Sequence, residues 1–97
     1  MTPSVSPEAD RELTECARFY AREADAALAE AFLQEFERAL SLLCNHPEIG
    51  APWRTRHRRF PLRRFPYSII YNVRDDELRV IAIAHHRRKP GYWQSRR

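Results

Sequence analysis

Two apolar runs separated by an acidic turn constrain this chain most. Tyr67 to Val73 and Leu78 to Ala84 flank Asp75-Asp76, so short a connection that the runs must pair as antiparallel strands. In the first, Tyr67, Ile69, Tyr71 and Val73 alternate with Ser68, Ile70 and Asn72. In the second, Leu78, Val80, Ala82 and Ala84 alternate with Ile81 and Ile83, so both faces are apolar. Such a strand belongs inside a sheet, with helices over one face and some other part of the chain over the second.

The helices are written upstream. Ser6-Pro7-Glu8 supplies an N-cap hydroxyl, a proline where no helical N–H is lost, and an acid at the positive end of the dipole. Ala9, Leu13, Cys16, Ala17, Tyr20 and Ala24 then recur at three- and four-residue steps. No Gly or Pro follows, but Asp25 can cap a second helix, whose stripe is Ala29, Phe32, Leu33, Phe36, Ala39, Leu40 and Leu43. It should end at Asn45-His46-Pro47, with Asn in the left-handed cap and Pro forbidding continuation. One unbroken helix to Cys44 would be a rod unable to bury both stripes, so a hairpin is expected.

Around this frame, Thr2–Val5 is a short candidate edge strand and residues 47 to 52 read as a loop, with Ile49 and Trp53 plugging the end of the core. Arg59 to Phe65 reads as a further strand, confined by Pro61 to an edge or a bulge. Lys89-Pro90-Gly91 stops the last strand, and Tyr92-Trp93-Gln94 opens a tail or helical turn. At 97 residues the expectation is a single domain, 1–97, of α+β class. Its N-terminal helical hairpin would pack on a small, mainly antiparallel sheet of three to four strands.

No apolar stretch approaches the roughly 18 residues of a membrane span, and the N-terminus has neither a basic nor an apolar leader region. Cys16 and Cys44 lie about 8 and 20 residues from the expected helical turn, hence some 18 Å apart in height at ~1.5 Å per residue. A disulfide needs Cα atoms within about 7 Å, so both should be buried thiols, as suits a reducing, cytoplasmic setting.

Charge divides the chain in two. Residues 1 to 52 carry four arginines against ten acids, a net of −6; residues 53 to 97 carry thirteen Lys or Arg against three acids, a net of +10. The second half should present a cationic surface to nucleic acid or to an acidic protein. Arg54, Arg56, Arg58, Arg59, Arg63 and Arg64 form an arginine ladder, with Arg59 and Arg63 on one strand face at a spacing that suits phosphates or carboxylates. Arginine outnumbers lysine heavily, which favours bidentate recognition over mere solubility.

His85-His86-Arg87-Arg88-Lys89 closes the last strand. Neighbouring strand residues point to opposite faces, so the two histidines cannot share a metal, and neither His46 nor His57 adds a ligand at zinc-site spacing. With only Gly50 and Gly91 there is no glycine-rich phosphate loop, and no cofactor is expected. His86 beside arginines and Tyr92 is a residue set for acid–base work on a phosphodiester. The competing reading is that these histidines pin the C-terminal turn to the sheet.

Taken together, Arg63-Arg64-Phe65-Pro66-Tyr67-Ser68-Ile69-Ile70-Tyr71, the turn and strand to Ala84, and His85-His86-Arg87-Arg88-Lys89-Pro90-Gly91-Tyr92-Trp93 resemble the ParE branch of the RelE/ParE toxin superfamily. These are the toxic halves of type II toxin–antitoxin, or plasmid stabilisation, modules. Ser6-Pro7-Glu8-Ala9 and Asn45-His46-Pro47-Glu48-Ile49-Gly50 extend the likeness over almost the whole chain. The resemblance implies a helical hairpin on a small antiparallel sheet, and a cognate, ParD-like antitoxin that neutralises the toxin in a hetero-oligomeric complex.

It also implies a target: DNA gyrase for ParE members, or messenger RNA in the ribosome for RelE members. RelE-type nucleases typically carry an arginine where Ser68 stands and another basic residue where His86 stands; Arg88 and Tyr92 match. Loss of the strand arginine would remove a charge-assisted contact to the scissile phosphate, so a non-catalytic gyrase inhibitor is the favoured expectation. Its target-binding residues would be Arg87, Arg88, Lys89, Tyr92, Trp93, Arg96 and Arg97, and its antitoxin-binding residues Arg59, Arg63, Arg64 and Tyr71. The alternative, a ribosome-dependent endoribonuclease, would use Arg63, His86, Arg88 and Tyr92. A plain nucleic-acid-binding domain, with strongly salt-dependent affinity, is a third reading.

Overall fold

Ser6 starts the first helix and ties it to the sheet in the same step. Its Oγ accepts a hydrogen bond from Ala9 N at 3.1 Å, while its own N–H donates to Val80 O at 2.9 Å. In the computed structural model, which describes residues 1–97, this helix is α1 (Pro7–Glu23), preceded by β1 (Thr2–Val5) and followed by α2 (Ala26–Asn45). Asp25 caps α2 through Leu28 N at 2.8 Å. The hairpin therefore turns on a capping carboxylate without a glycine or proline. At the far end Asn45 stays helical and His46 ends the helix at φ −140, its N–H still reaching Leu42 O. The expected left-handed asparagine cap is not used, because Pro47 alone stops the helix.

The sheet holds β2 (Ala51–Trp53), β3 (His57–Pro61), β4 (Tyr67–Arg74) and β5 (Glu77–His85) besides β1. Its order is β1-β5-β4-β3-β2, with β1 parallel to β5 and every other pair antiparallel. Five strands exceed the expected three to four because the end of the expected loop, Ala51 and Pro52, folds back onto β3 together with Trp53. Pro52 hid that strand from propensity. β3 also ends earlier than expected. After Pro61 the chain bends, Arg64 takes φ 72, and Leu62 and Phe65 drop into the core.

Both helices lie over one face of the sheet. Phe32, Phe36, Ala39 and Leu43 pack with Ile69, Tyr71, Leu78, Val80 and Ile83, and Tyr20, Phe32, Phe65 and Tyr67 form a chain of edge-on and tilted rings 5.2 to 5.7 Å apart. On the second face Ile70, Ile81, Ala82 and Ala84 are closed by Trp93 of the C-terminal segment, flanked by Trp53 and Tyr92. That segment is the second cover the doubly apolar strand required.

One bulge changes the expected phase. Ile70 pairs with Ala82 and Tyr71 with Val80, leaving Ile81 without an opposite residue. Strand alternation is reset by the extra residue. Leu78 and Val80 face the helices but Ala82 and Ala84 face away, and Ile83 joins the helix side. Ile49, expected as a core plug, is 47% exposed. The plug at that end is Tyr71, whose hydroxyl donates to Pro47 O at 2.7 Å and accepts from Gly50 N at 3.0 Å. A Cβ at position 50 would lie 2.5 Å from that hydroxyl oxygen, so only glycine permits the approach. Cys16 and Cys44 are free thiols, the first buried and the second half-buried. No helix is long and apolar enough to cross a membrane.

Tyr71→Phe should lower the unfolding free energy by about 1–3 kcal/mol in urea titrations, because the buried Gly50 N–H loses its acceptor. A loss near zero would show that water replaces the hydroxyl. His57, 4% exposed on β3, has its Nε2 unpartnered, and burial pushes its pKa below 6.5, with Arg56 acting the same way. The unfolded chain then binds protons that the folded one resists, so stability is present above the unfolded value and falls as pH drops below it. Urea unfolding from pH 7.5 to 5 should show that fall, and His57→Gln should flatten part of it; an unchanged slope would remove His57 as a source.

Candidate functional site

The outer edge of β5 is covered by two different means. β1 pairs along Glu77 to Val80 and then ends. Past that point side chains take over: Ile83 N donates to Glu12 Oε1 at 3.0 Å, and Arg96 Nη1 donates to Ile81 O at 3.1 Å. Arg96 also pairs with Glu12 Oε1 at 3.0 Å, and the Tyr92 hydroxyl donates to Glu12 Oε2 at 2.9 Å. One carboxylate from α1 thus holds a strand edge and the C-terminal segment together. Burial and the neighbouring Glu12 push the Tyr92 hydroxyl far above the ordinary tyrosine range, so it serves as a donor.

Arg88 lies flat against this knot, its guanidinium carbon 3.8 Å from the Tyr92 ring centroid. On one side of it opens a cavity of about 250 Å³ that reaches Cys16, Phe19 and Tyr67 on the helix side. On the other is a small cleft shared by Arg59, His86 and Arg88 between Trp53 and Trp93. There Ser68 Oγ accepts from Arg59 Nε at 3.2 Å and lies 3.0 Å from His86 Nε2. Burial, and next Arg59, hold His86 below its ordinary pKa, so the ring is neutral at pH 7. The serine hydroxyl, having accepted from Arg59, keeps its own proton and donates it to the imidazole in the tautomer that leaves Nε2 unprotonated. His85, one residue earlier, faces the helix side and stacks edge-on with Tyr67 at 5.0 Å. The opposed orientations expected of this pair are therefore observed.

A third cationic feature stands apart. Glu35 on α2 grips Arg38 through two hydrogen bonds of 2.7 and 2.8 Å and also accepts from Arg63 N at 2.7 Å. Its carboxyl is held below the usual range, with Arg38 the main cause. Arg63 and Arg64 rise beside it over a groove of about 450 Å³ against Phe65.

This arrangement breaks up the sets of residues expected from the sequence. Arg59 and Arg63 do not share a face, because the chain bends after Pro61; Arg59 is on the Ser68 side and Arg63 on the helix side. Of the nuclease set, His86 and Arg88 line one cleft, Tyr92 is engaged by Glu12, and Arg63 is at the separate groove. Tyr71, expected to touch an antitoxin, is fully buried and holds the 47–50 loop. Trp93, expected to contact a target, is 4% exposed under its own segment, and Arg96 is held by Glu12. Arg87, Arg88, Lys89 and Arg97 remain exposed.

Glu12 was missed. Its signal was an acid at the three-residue step between Ala9 and Cys16, on the apolar stripe itself. Glu12→Ala should cost about 3 kcal/mol in urea unfolding, since it strands a strand N–H and a half-buried guanidinium. It should also speed tryptic cleavage after Arg87 and Arg88. Unchanged cleavage together with a loss under about 1 kcal/mol would mean the knot does not hold the segment.

Comparison with known proteins follows the same outline. No curated protein matches the chain. Among solved structures it is similar to a chain of the chromosomal ParDE TA system from P. aeruginosa, with a TM-score of 0.77 and 19% identity, over 88% of this chain and 95% of that one. At that identity the likeness concerns the fold, helices first and the sheet after. Residues 4–90 match the family model described as ParE toxin of type II toxin–antitoxin system, parDE. A match running from β1 through the doubly covered sheet to Pro90 shows that the chain belongs to the ParE toxin family of type II toxin–antitoxin systems.

Proposed function

We propose that this ParE-family toxin acts in the cytoplasm by binding and inhibiting DNA gyrase, without chemistry of its own, and that a ParD-like antitoxin neutralises it in a hetero-oligomer. The observation that carries the reading is the dispersal of the nuclease residues. Arg63 lies at the helix-side groove, and Tyr92 donates into Glu12 with its own pKa raised, so neither stands ready beside His86. What remains beyond β5 is a recognition surface. Arg87, Arg88 and Lys89 project from a segment anchored by Glu12, Tyr92 and the buried Trp93. Anchoring of this kind lowers the entropic cost of association.

The antitoxin is assigned to the other side of the molecule. Arg63 and Arg64 offer unpaired guanidinium groups beside Phe65, which suits a segment carrying both carboxylates and apolar side chains. Arg59, on the opposite face, takes no part in that groove.

Purified toxin at roughly micromolar concentration should block supercoiling by gyrase. Replacing Arg87, Arg88 and Lys89 together by Gln should weaken the block by about tenfold or more while the fold persists. Undisturbed supercoiling, with codon-positioned cleavage of ribosome-bound message that His86→Ala abolishes, would overturn the reading in favour of the endoribonuclease.

A further inference from the structure

The cleft between Arg59, His86 and Arg88 has a property that gyrase binding does not call for. None of its lining residues is acidic. Neither arginine forms an ion pair, although Arg88 also borders the neighbouring cavity that Glu12 and Glu15 line. Arg59 uses Nε on the Ser68 hydroxyl, at 3.2 Å, and keeps the four N–H bonds of its outer edge. Arg88 sits over the Tyr92 ring, its guanidinium carbon 3.8 Å from the centroid, a contact that uses none of its N–H donors. Ser68 is itself only 1% exposed, and its hydroxyl links Arg59 to His86, so the cationic wall is braced from inside the sheet.

The size of the cleft narrows the ligand. Its volume is about 60 Å³, walled by Trp53, Trp93 and Pro90. At roughly 10–15 Å³ per water-sized centre, that is room for about four to six oxygen-sized atoms. Two arginines lining so small a space match a tetrahedral oxyanion.

We propose that Arg59, His86 and Arg88 form an oxyanion site for a single phosphate group, free or as the terminal group of a phosphate monoester. Arg59 reaches the cleft from β3 and is oriented there by Ser68 of the neighbouring strand. Of its three residues only Arg88 is shared with the basic segment assigned to gyrase, so an Arg59 variant tests the site without altering that segment. His86 couples it to pH. The groups facing the ring are Arg59, Ser68, His85 and the Tyr67 backbone, with Arg88 across the cleft. A neutral ring adds no charge to the site at pH 7, whereas protonation on acidification adds one. The anion should therefore bind more tightly as pH falls, and in binding should draw the His86 titration upward.

The test uses the full chain and follows the His86 ring by proton NMR at constant ionic strength. Inorganic phosphate should give a saturable shift at His86. Sulfate, whose charge is constant over this pH range, should raise the His86 midpoint by about half a pH unit or more. Arg59→Gln should weaken saturation about tenfold, and Arg59→Lys less, with the shift dispersion of both variants reporting an intact fold. A shift that chloride reproduces, or saturation unaltered in Arg59→Gln, would overturn the site. A nucleoside 5′-monophosphate binding as tightly as phosphate assigns the group to a monoester, and binding tenfold weaker assigns it to free phosphate. A dinucleotide, which carries only a phosphodiester, should not compete; competition by it would overturn the terminal-group assignment.

Discussion

The carboxylate of Glu12 is the interaction on which the rest of this toxin depends. β5 is apolar on both faces, so it must be buried, yet β1 is only four residues long and leaves the outer edge of β5 open beyond Val80. Open strand edges recruit other chains. Glu12 meets Ile83 N there, and because Arg96 and Tyr92 bind the same carboxylate, closing the edge also brings the C-terminal segment home. Trp93 then covers Ile70, Ala82 and Ala84. The cover of the sheet's second face therefore follows from the cap on its edge.

The same coupling explains why the basic residues near the C-terminus differ so much in role. Arg96 neutralises Glu12 and reaches Ile81 O, and Arg79 Nε donates to Arg97 O. Gly91, at φ 85, lets the segment pass Trp53, which a Cβ there would meet at 2.7 Å. These contacts build the surface from which Arg87, Arg88 and Lys89 project. A run of like-looking cations is thus divided between groups that hold the segment and groups that a partner can reach.

Much of the frame was legible in the residues. Ser6 and Asp25 cap the helices as their types require, Phe32, Phe36, Ala39 and Leu43 of the expected stripe are buried while Leu33 stays exposed, and Asp75 makes the tight turn at φ 54. What escaped has a common cause. The bulge at Ile81 resets a count that assumes strict alternation, the bend at Arg64 sends Leu62 and Phe65 inward, and β2 exists only because β3 is there to pair with it. Such features are consequences of contact between distant segments, which local periodicity does not record.

The site shows the limit most clearly at Ser68. Read along its own strand, this residue is a small polar side chain among apolar neighbours. Read across the sheet, it is the acceptor that orients a cation, because Arg59 on β3 is a diagonal neighbour with its Nε 3.2 Å away. Cross-strand neighbours are as close as residues on one strand face, so a polar group on one strand can orient a charge on the next. An arginine in place of Ser68 would have no hydroxyl to pass on to His86, whereas here one small side chain joins the guanidinium to a neutral imidazole at 3.0 Å. Arg59 and Arg88 supply the fixed positive charge of this face, and the serine sets beside them a histidine that adds one more only when it takes up a proton.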